Sequence, residues 1–150
     1  MFKKILYPTD FSDVAIKALD YIKQLKEAGS QEVVIVHVIN QRTIDGLMRH
    51  AISDSNLDAW LKQAKAVAQE ALIEMSKELE SLGFSVKRII KTGYPCSEIL
   101  ELEDTEAPSI IVIGSHGRSN IGEIFLGSVS ERVIRRCKRP VMVIKRDQPD

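Results

Sequence analysis

The chain has 150 residues, 28% of them charged and 44% hydrophobic, and its 21 basic and 21 acidic side chains give a formal net charge of zero. That balance excludes disordered and fibrous classes, and the absence of a basic excess argues against a general nucleic-acid binder. No apolar run approaches the roughly 20 residues that a membrane-spanning helix needs, so no membrane association is expected.

The opening Met1-Phe2-Lys3-Lys4-Ile5 passes directly into strand-like sequence without the apolar core of a signal peptide, which makes the cytoplasm the expected location. A first strand is predicted over Lys4 to Thr9. Ser12 can cap a helix whose apolar stripe is Ala15, Ala18, Leu19, Ile22 and Leu25 and which ends near Gly29. A second strand covers Val33 to Ile39. Residues 41–56 match no regular pattern and are either a mobile flap or the place of a short helix. A long helix carries Leu57, Leu61, Ala64, Val67, Ala68, Ala71, Met75, Leu79 and Leu82 at three- and four-residue steps, and Gly83 stops it. The third strand, Val86 to Lys91, is polar enough for a sheet edge. A short helix from about Ser97 to Glu103 follows, and Pro108 bars its continuation. Ile110 to Gly114 forms the fourth strand, about Val129 to Cys137 the last helix, and Val141 to Lys145 the fifth strand. Three of these strands hold nearly unbroken aliphatic runs, the mark of strands covered on both faces. The order β-α-β-α-β-α-β-α-β therefore predicts one α/β domain over residues 1–150, a doubly wound parallel sheet with helices on both faces. Cys96 and Cys137, distant and unaccompanied, read as free thiols.

Four of the eight glycines (Gly114, Gly117, Gly122, Gly127) fall in one stretch between the fourth strand and the last helix. Ligands of parallel sheets bind where strands end and helix N-termini face a crevice, and glycines let backbone N–H groups approach an anion closely. Ser128 can cap the helix, with Glu131 completing a capping box, and the positive helix end then faces the loop. The alternative is a tight connection whose glycines serve turns only. There is no Gly-Lys dipeptide, hence no P-loop lysine, and no Gly-x-Gly-x-x-Gly fingerprint. Asp10, closing the first strand, would project into the same crevice, where a carboxylate accepts ribose hydroxyls or holds Mg²⁺ beside phosphates; alternatively it caps the first helix.

The spacing Gly114-x2-Gly117-x9-Gly127-Ser128 resembles the nucleotide-binding signature of the ATP-binding branch of the universal stress proteins. The opening from Lys4 to Ser12, the His37-Val38 strand end, Gly93-x-Pro95 and the tail from Lys138 to Ile144 are similar to that family as well, so the resemblance covers essentially the whole chain. It implies a Rossmann-like, adenine nucleotide α-hydrolase-like fold with five parallel strands in the order 3-2-1-4-5, ATP lying over the ends of strands one and four with Mg²⁺ (or Mn²⁺). Asp10 would then contact the ribose or, through the nucleotide, the metal, with Pro8 and Thr9 lining the pocket and Val38 bonding adenine through its backbone. Ile113 and Gly114 would flank the nucleoside. Gly117, Gly127, Ser128, Val129 and Ser130 would bind phosphates through backbone N–H and hydroxyl groups. Pro108-Ser109 departs from the acidic residue the family often has before strand four.

Other candidates carry less. His37, inside an apolar strand, reads as a satisfied core residue. His116 reads as a solvent-facing loop residue, with phosphate contact as the alternative, and the three histidines have no zinc-ligand spacing. Arg132, Arg135, Arg136, Lys138 and Arg139 read as cations completing a helix C-terminus, whereas Arg118, adjacent to Gly117, could neutralise a γ-phosphate. Trp60 reads as core or flap packing. The strand Val141 to Ile144 is apolar on both faces yet an edge in the implied order, so pairing with its own copy would cover it, and the resemblance implies such a homodimer. Three functions compete: an ATP-binding regulatory protein of stress physiology acting on an unidentified protein partner, a slow Mg-dependent ATPase, and a nucleotide-free dimeric interaction module. The first is preferred, because the devices common to phosphoryl transfer are absent.

Overall fold

The computed structural model describes residues 1–50, 53–116 and 126–147. Ten elements follow one another: β1 (Lys4–Pro8), α1 (Asp13–Leu25), β2 (Glu32–Asn40), α2 (Gln41–Arg49), α3 (Asp54–Ser81), β3 (Ser85–Gly93), α4 (Pro95–Glu106), β4 (Ile110–Gly114), α5 (Ser128–Arg136) and β5 (Val141–Ile144). The strands form one parallel sheet in the order β3-β2-β1-β4-β5. The polar third strand is an edge, as expected. The chain runs outward in one direction from β1 to β3, then returns to β4 and continues to β5, so the order reverses between β1 and β4.

Alternation along the strands divides the core in two. Ile5, Tyr7, Val33, Ile35, Ile110 and Val112 pack with Ala18, Leu19, Ile22 of α1 and Leu72, Met75, Leu79 of α3. Leu6, Val34, Val36, Ile111 and Ile113 face the other way, onto Cys96, Ile99 and Leu102 of α4 and Val133 of α5. Each aliphatic run therefore supplies both layers, which is why the runs are unbroken.

Local signals set most of the ends. The Ser12 hydroxyl accepts from the Ala15 amide at 3.2 Å and caps α1. Gly29 and Gly83 take φ of 97° and 91°, the left-handed region that lets the chain turn after α1 and α3. Within residues 41–56 the short helix is the outcome: α2 starts at Gln41, and Asn40 caps it through the Arg42 amide at 3.0 Å. α4 begins two residues earlier than expected because Pro95 takes the first helical position, where its missing N–H costs nothing. It runs to Glu106, past the expected end, until Ala107 turns left-handed at φ 49° just before Pro108. Ser109 clasps the start of β1, its hydroxyl accepting from the Lys4 amide and donating to the Lys4 carbonyl, both at 2.9 Å.

One cap is corrected. Gly127, not Ser128, is the N-cap of α5, and it makes no side-chain cap bond because it has no side chain. Ser128 is already the first helical residue, so its hydroxyl cannot reach back as a cap does. Cys96 and Cys137 are both free thiols. Among the described residues no helix is long and apolar enough to cross a membrane.

Candidate functional site

Reversal of strand order opens a crevice where the chains leaving β1 and β4 diverge to opposite faces. The β1 exit is held tightly. The Thr9 amide donates to the Val36 carbonyl at 2.8 Å, and the Thr9 hydroxyl accepts from the Phe11 amide at 3.1 Å. Phe11 sits at φ 63°, a conformation a bulky side chain rarely adopts. Its ring stacks on His37 with centroids 4.6 Å apart, and Nδ1 of His37 lies 2.8 Å from the Thr9 carbonyl. Asp10 follows, one carboxylate oxygen accepting from the Ser12 amide at 3.0 Å. Asp10 thus shares the turn with the Ser12 cap, and its second oxygen has no partner among the described residues.

The β4 exit is tied to α5 through one carbonyl. Oxygen of Ser115 accepts from the Gly127 amide and from the Ser130 hydroxyl, each at 2.7 Å, while the Ser115 amide bonds the Ile144 carbonyl at 2.8 Å. Two phosphate donors expected from the sequence are thereby committed inside the protein: the Gly127 amide, and the Ser130 hydroxyl, which also lies 3.0 Å from the Gly127 carbonyl. What α5 leaves open is its first turn. Helix geometry gives the amides of Ser128, Val129 and Ser130 no intrahelical acceptor, none has a partner among the described residues, and no cap side chain covers them. The exposed Ser128 hydroxyl is beside them.

His116 is buried, at 7% exposure, not solvent-facing as expected. Its ring folds onto its neighbour, Nδ1 lying 2.7 Å from the Ser115 hydroxyl, and this draws it inward. Its Nε2 is buried without a hydrogen-bond partner among the described residues. A buried nitrogen with no partner among the described residues is a polar group that can take part in binding at this end of the cavity.

These parts line one cavity of about 720 Å³, within the range of small-molecule sites. Pro8, Thr9, Asp10, Val38, Ile113, Gly114, Gly127, Ser128, Val129 and Ser130, all nominated from sequence, share its wall. Gly117 and Arg118 lie outside the described residues. His37 is half-buried and hydrogen-bonded as expected, but it stands on the cavity wall with Phe11. Sequence reasoning missed Phe11, whose exposure to the cavity follows from its positive φ, and the α3 residues Trp60, Gln63, Ala64 and Val67. Their helical spacing was visible, but not that half of the stripe leaves the core. The basic cluster lies at the end of α5, with Arg135 on Glu131 at 2.7 Å and Lys138 on Asp104 at 3.3 Å, away from the cavity.

Chemically the polar end suits an anion. Backbone donors and the positive helix end favour negative charge, and Asp10 opposite can hold hydroxyls or one side of a metal. No group of three or more His, Cys, Asp or Glu placed to hold a metal ion occurs among the described residues.

The profile of the Universal stress protein family matches residues 1–145. The universal stress protein MJ0577 of Methanocaldococcus jannaschii is 42% identical over 156 residues, covering 97% of this chain and 96% of that protein. Its solved structure superposes with a TM-score of 0.90 at 40% identity over 99% of each chain. MJ0531 of the same organism is 30% identical over 150 residues, covering 100% of this chain and 86% of the relative. A family protein from Arabidopsis thaliana with AMP bound shares the fold, at TM-score 0.68 and 18% identity over 97% of this chain and 92% of that one. By its sequence over nearly its full length, and by the sheet that sequence builds, the chain belongs to the Universal stress protein family.

Proposed function

We propose that this chain is an ATP-binding universal stress protein, a regulatory protein whose nucleotide state biases a protein partner, with hydrolysis slow at most. The observation that carries the reading is the convergence, in one cavity at the strand reversal, of the uncapped first turn of α5 and the carboxylate of Asp10. Phosphates lie on the amides of Ser128, Val129 and Ser130 and on the Ser128 hydroxyl, with Gly117 and Arg118 joining from the loop. Gly127 contributes an absent Cβ, since its amide is already used. Asp10 takes the ribose or the Mg²⁺ that arrives with the nucleotide, and Pro8, Thr9, Ile113 and Gly114 form the walls.

The register supports Val38 as the contact to the base. Oxygen of Val36 bonds the Thr9 amide, so Val36 faces β1, and two residues on Val38 presents its N–H and C=O in the same direction, past the end of β1. One donor and one acceptor side by side match the acceptor and donor on the edge of adenine. The AMP-bound Arabidopsis relative supports the same ligand class. The wall chemistry supports slow hydrolysis, since among the described residues it carries no lysine.

The test is direct. Purified protein is denatured and the released small molecules are chromatographed; fresh protein is then titrated with ATP and Mg²⁺ and assayed for turnover. Recovered or saturable ATP with negligible product is the expected result. Rapid product formation would make the protein an enzyme, and no adenine-nucleotide binding would reject the reading.

A further inference from the structure

α3 has 28 residues, about 42 Å at 1.5 Å per residue, and overshoots a sheet whose longest strands have nine. One face runs its whole length. Toward the C-terminus that face is Leu72, Met75, Ser76 and Leu79, all buried against the sheet. Toward the N-terminus the same face continues as Trp60, Gln63, Ala64, Val67 and Ala68, spaced i, i+3, i+4, i+7, i+8. All five line the cavity; Ala68 is still buried, at 2% exposure, while the other four are not. Trp60 stays half-buried, and Val67 remains 54% exposed. An apolar stripe of this kind normally finds a cover.

Facing it, β2 runs beyond β1, and Val38 and Ile39 line the same space. The buried Ile44 anchors α2 beside the strand end, so its first turn borders the slot. The cavity therefore has two ends of different chemistry: a polar one at Asp10 and the α5 start, and an apolar slot between a helix face and a strand edge. A slot of that shape beside an anion site suits a planar ring joined to a polyanion.

We propose that the amino-terminal half of α3 is the base-selecting wall of this site, with Trp60 covering the purine ring. The proposal rests on the nucleotide reading above and adds to it the residue that makes the site prefer a nucleotide over a bare polyphosphate. Trp60 is the one tryptophan in the chain, so its fluorescence reports on the slot alone. It belongs to neither core cluster, so its replacement removes no side chain from the sheet packing.

The experiment titrates ATP and inorganic tripolyphosphate, each with Mg²⁺, into the wild type, Trp60→Ala and Trp60→Phe, by calorimetry and by tryptophan fluorescence where the residue remains. ATP should change the wild-type emission. Trp60→Ala should weaken ATP roughly tenfold, the size expected for losing one base–aromatic stack, with tripolyphosphate unchanged within about twofold, and Trp60→Phe should recover most of the loss. Equal ATP affinity in Trp60→Ala, or an equal loss for tripolyphosphate, overturns the wall while leaving the nucleotide reading in place. A wild type that binds no ATP rejects both.

Discussion

At Gly114 the hydrogen that replaces a methyl group sets how closely the sheet approaches α1. A Cβ built there would lie 3.1 Å from Cγ1 of Val14, 3.2 Å from the Ala15 amide nitrogen and 3.3 Å from the Val14 carbonyl carbon. Two of those atoms are backbone in the first turn of a capped helix, so relief requires the helix and β4 to part. Gly93 looks worse on distance alone, with Oε1 of Glu98 only 2.5 Å away. There, however, every close atom belongs to one side chain that can swing aside. Gly114→Ala should therefore lose about 1–3 kcal/mol, as overpacked cores do, whereas Gly93→Ala should stay within about 0.5 kcal/mol of the parent. Urea unfolding of the two variants checks the contrast, and a reversed order would show that distance matters more than what moves.

Among the elements, α4 ties together β1, β3 and the segment after α5, and it does so with carboxylates. Glu106 at its end pairs with Lys87 of β3 and with Lys4 of β1, the latter at 3.1 Å. Those bonds, Lys87's first, hold its carboxyl below the ordinary glutamate range. A lowered carboxylate contributes stability above its unfolded value of about 4.3 and loses it as pH falls through the folded value. Between about pH 5 and 2 the wild type should thus lose stability more steeply than Glu106→Gln, by on the order of 1 kcal/mol, since the Lys87 end is exposed and screened. Parallel acid limbs from thermal melts would remove the claim. Glu103, one turn earlier, is 3% exposed and accepts from the amides of Lys138 and Arg139, both at 2.7 Å. Nothing in the sequence marks that role, because an acidic residue on a helix reads as solvated and its partners are main-chain amides, which look alike in every sequence. Strands and helix faces were legible because burial on two sides demands unbroken Val and Ile runs, whereas the order of the strands in the sheet came from the family resemblance. The α5 start was harder to read: Ser128 with Glu131 satisfies the capping pattern, yet the bond between the Gly127 amide and the Ser115 carbonyl starts the helix at Ser128 and leaves Gly127 as the cap. Of the ten nominated residues on the cavity wall, Asp10, Gly114, Gly127 and Ser128 were legible through glycine spacing and strand ends, and the other six through the family resemblance. Trp60 was not, since a stripe that leaves the core has the same periodicity as one that stays in it.

For the molecule as a whole, the unresolved demand is β5. It is an edge strand whose Val141, Met142 and Val143 are only partly buried, and Tyr21 of α1 beside it is 40% exposed. Apolar edges with open main-chain groups pair with something, and we propose a second copy of the same strand, which gives a closed two-fold assembly. Register says which groups are open. Carbonyls of Pro140 and Ile144 accept from the Ile111 and Ser115 amides of the β4 side, so Pro140, Met142 and Ile144 face inward and Val141 and Val143 present their N–H and C=O outward. Val143→Pro deletes an outward donor and spares the ladder to β4, the one kind of site where a strand tolerates proline. At micromolar concentration the wild type should sediment as a species of about 34 kDa, twice the 16.8 kDa chain. Val143→Pro should sediment near the single-chain mass with an unchanged far-ultraviolet circular dichroism spectrum. The assignment of the edge fails if the wild type is monomeric there, and equally if the proline variant stays dimeric, because a dimer built elsewhere would not notice the lost donor.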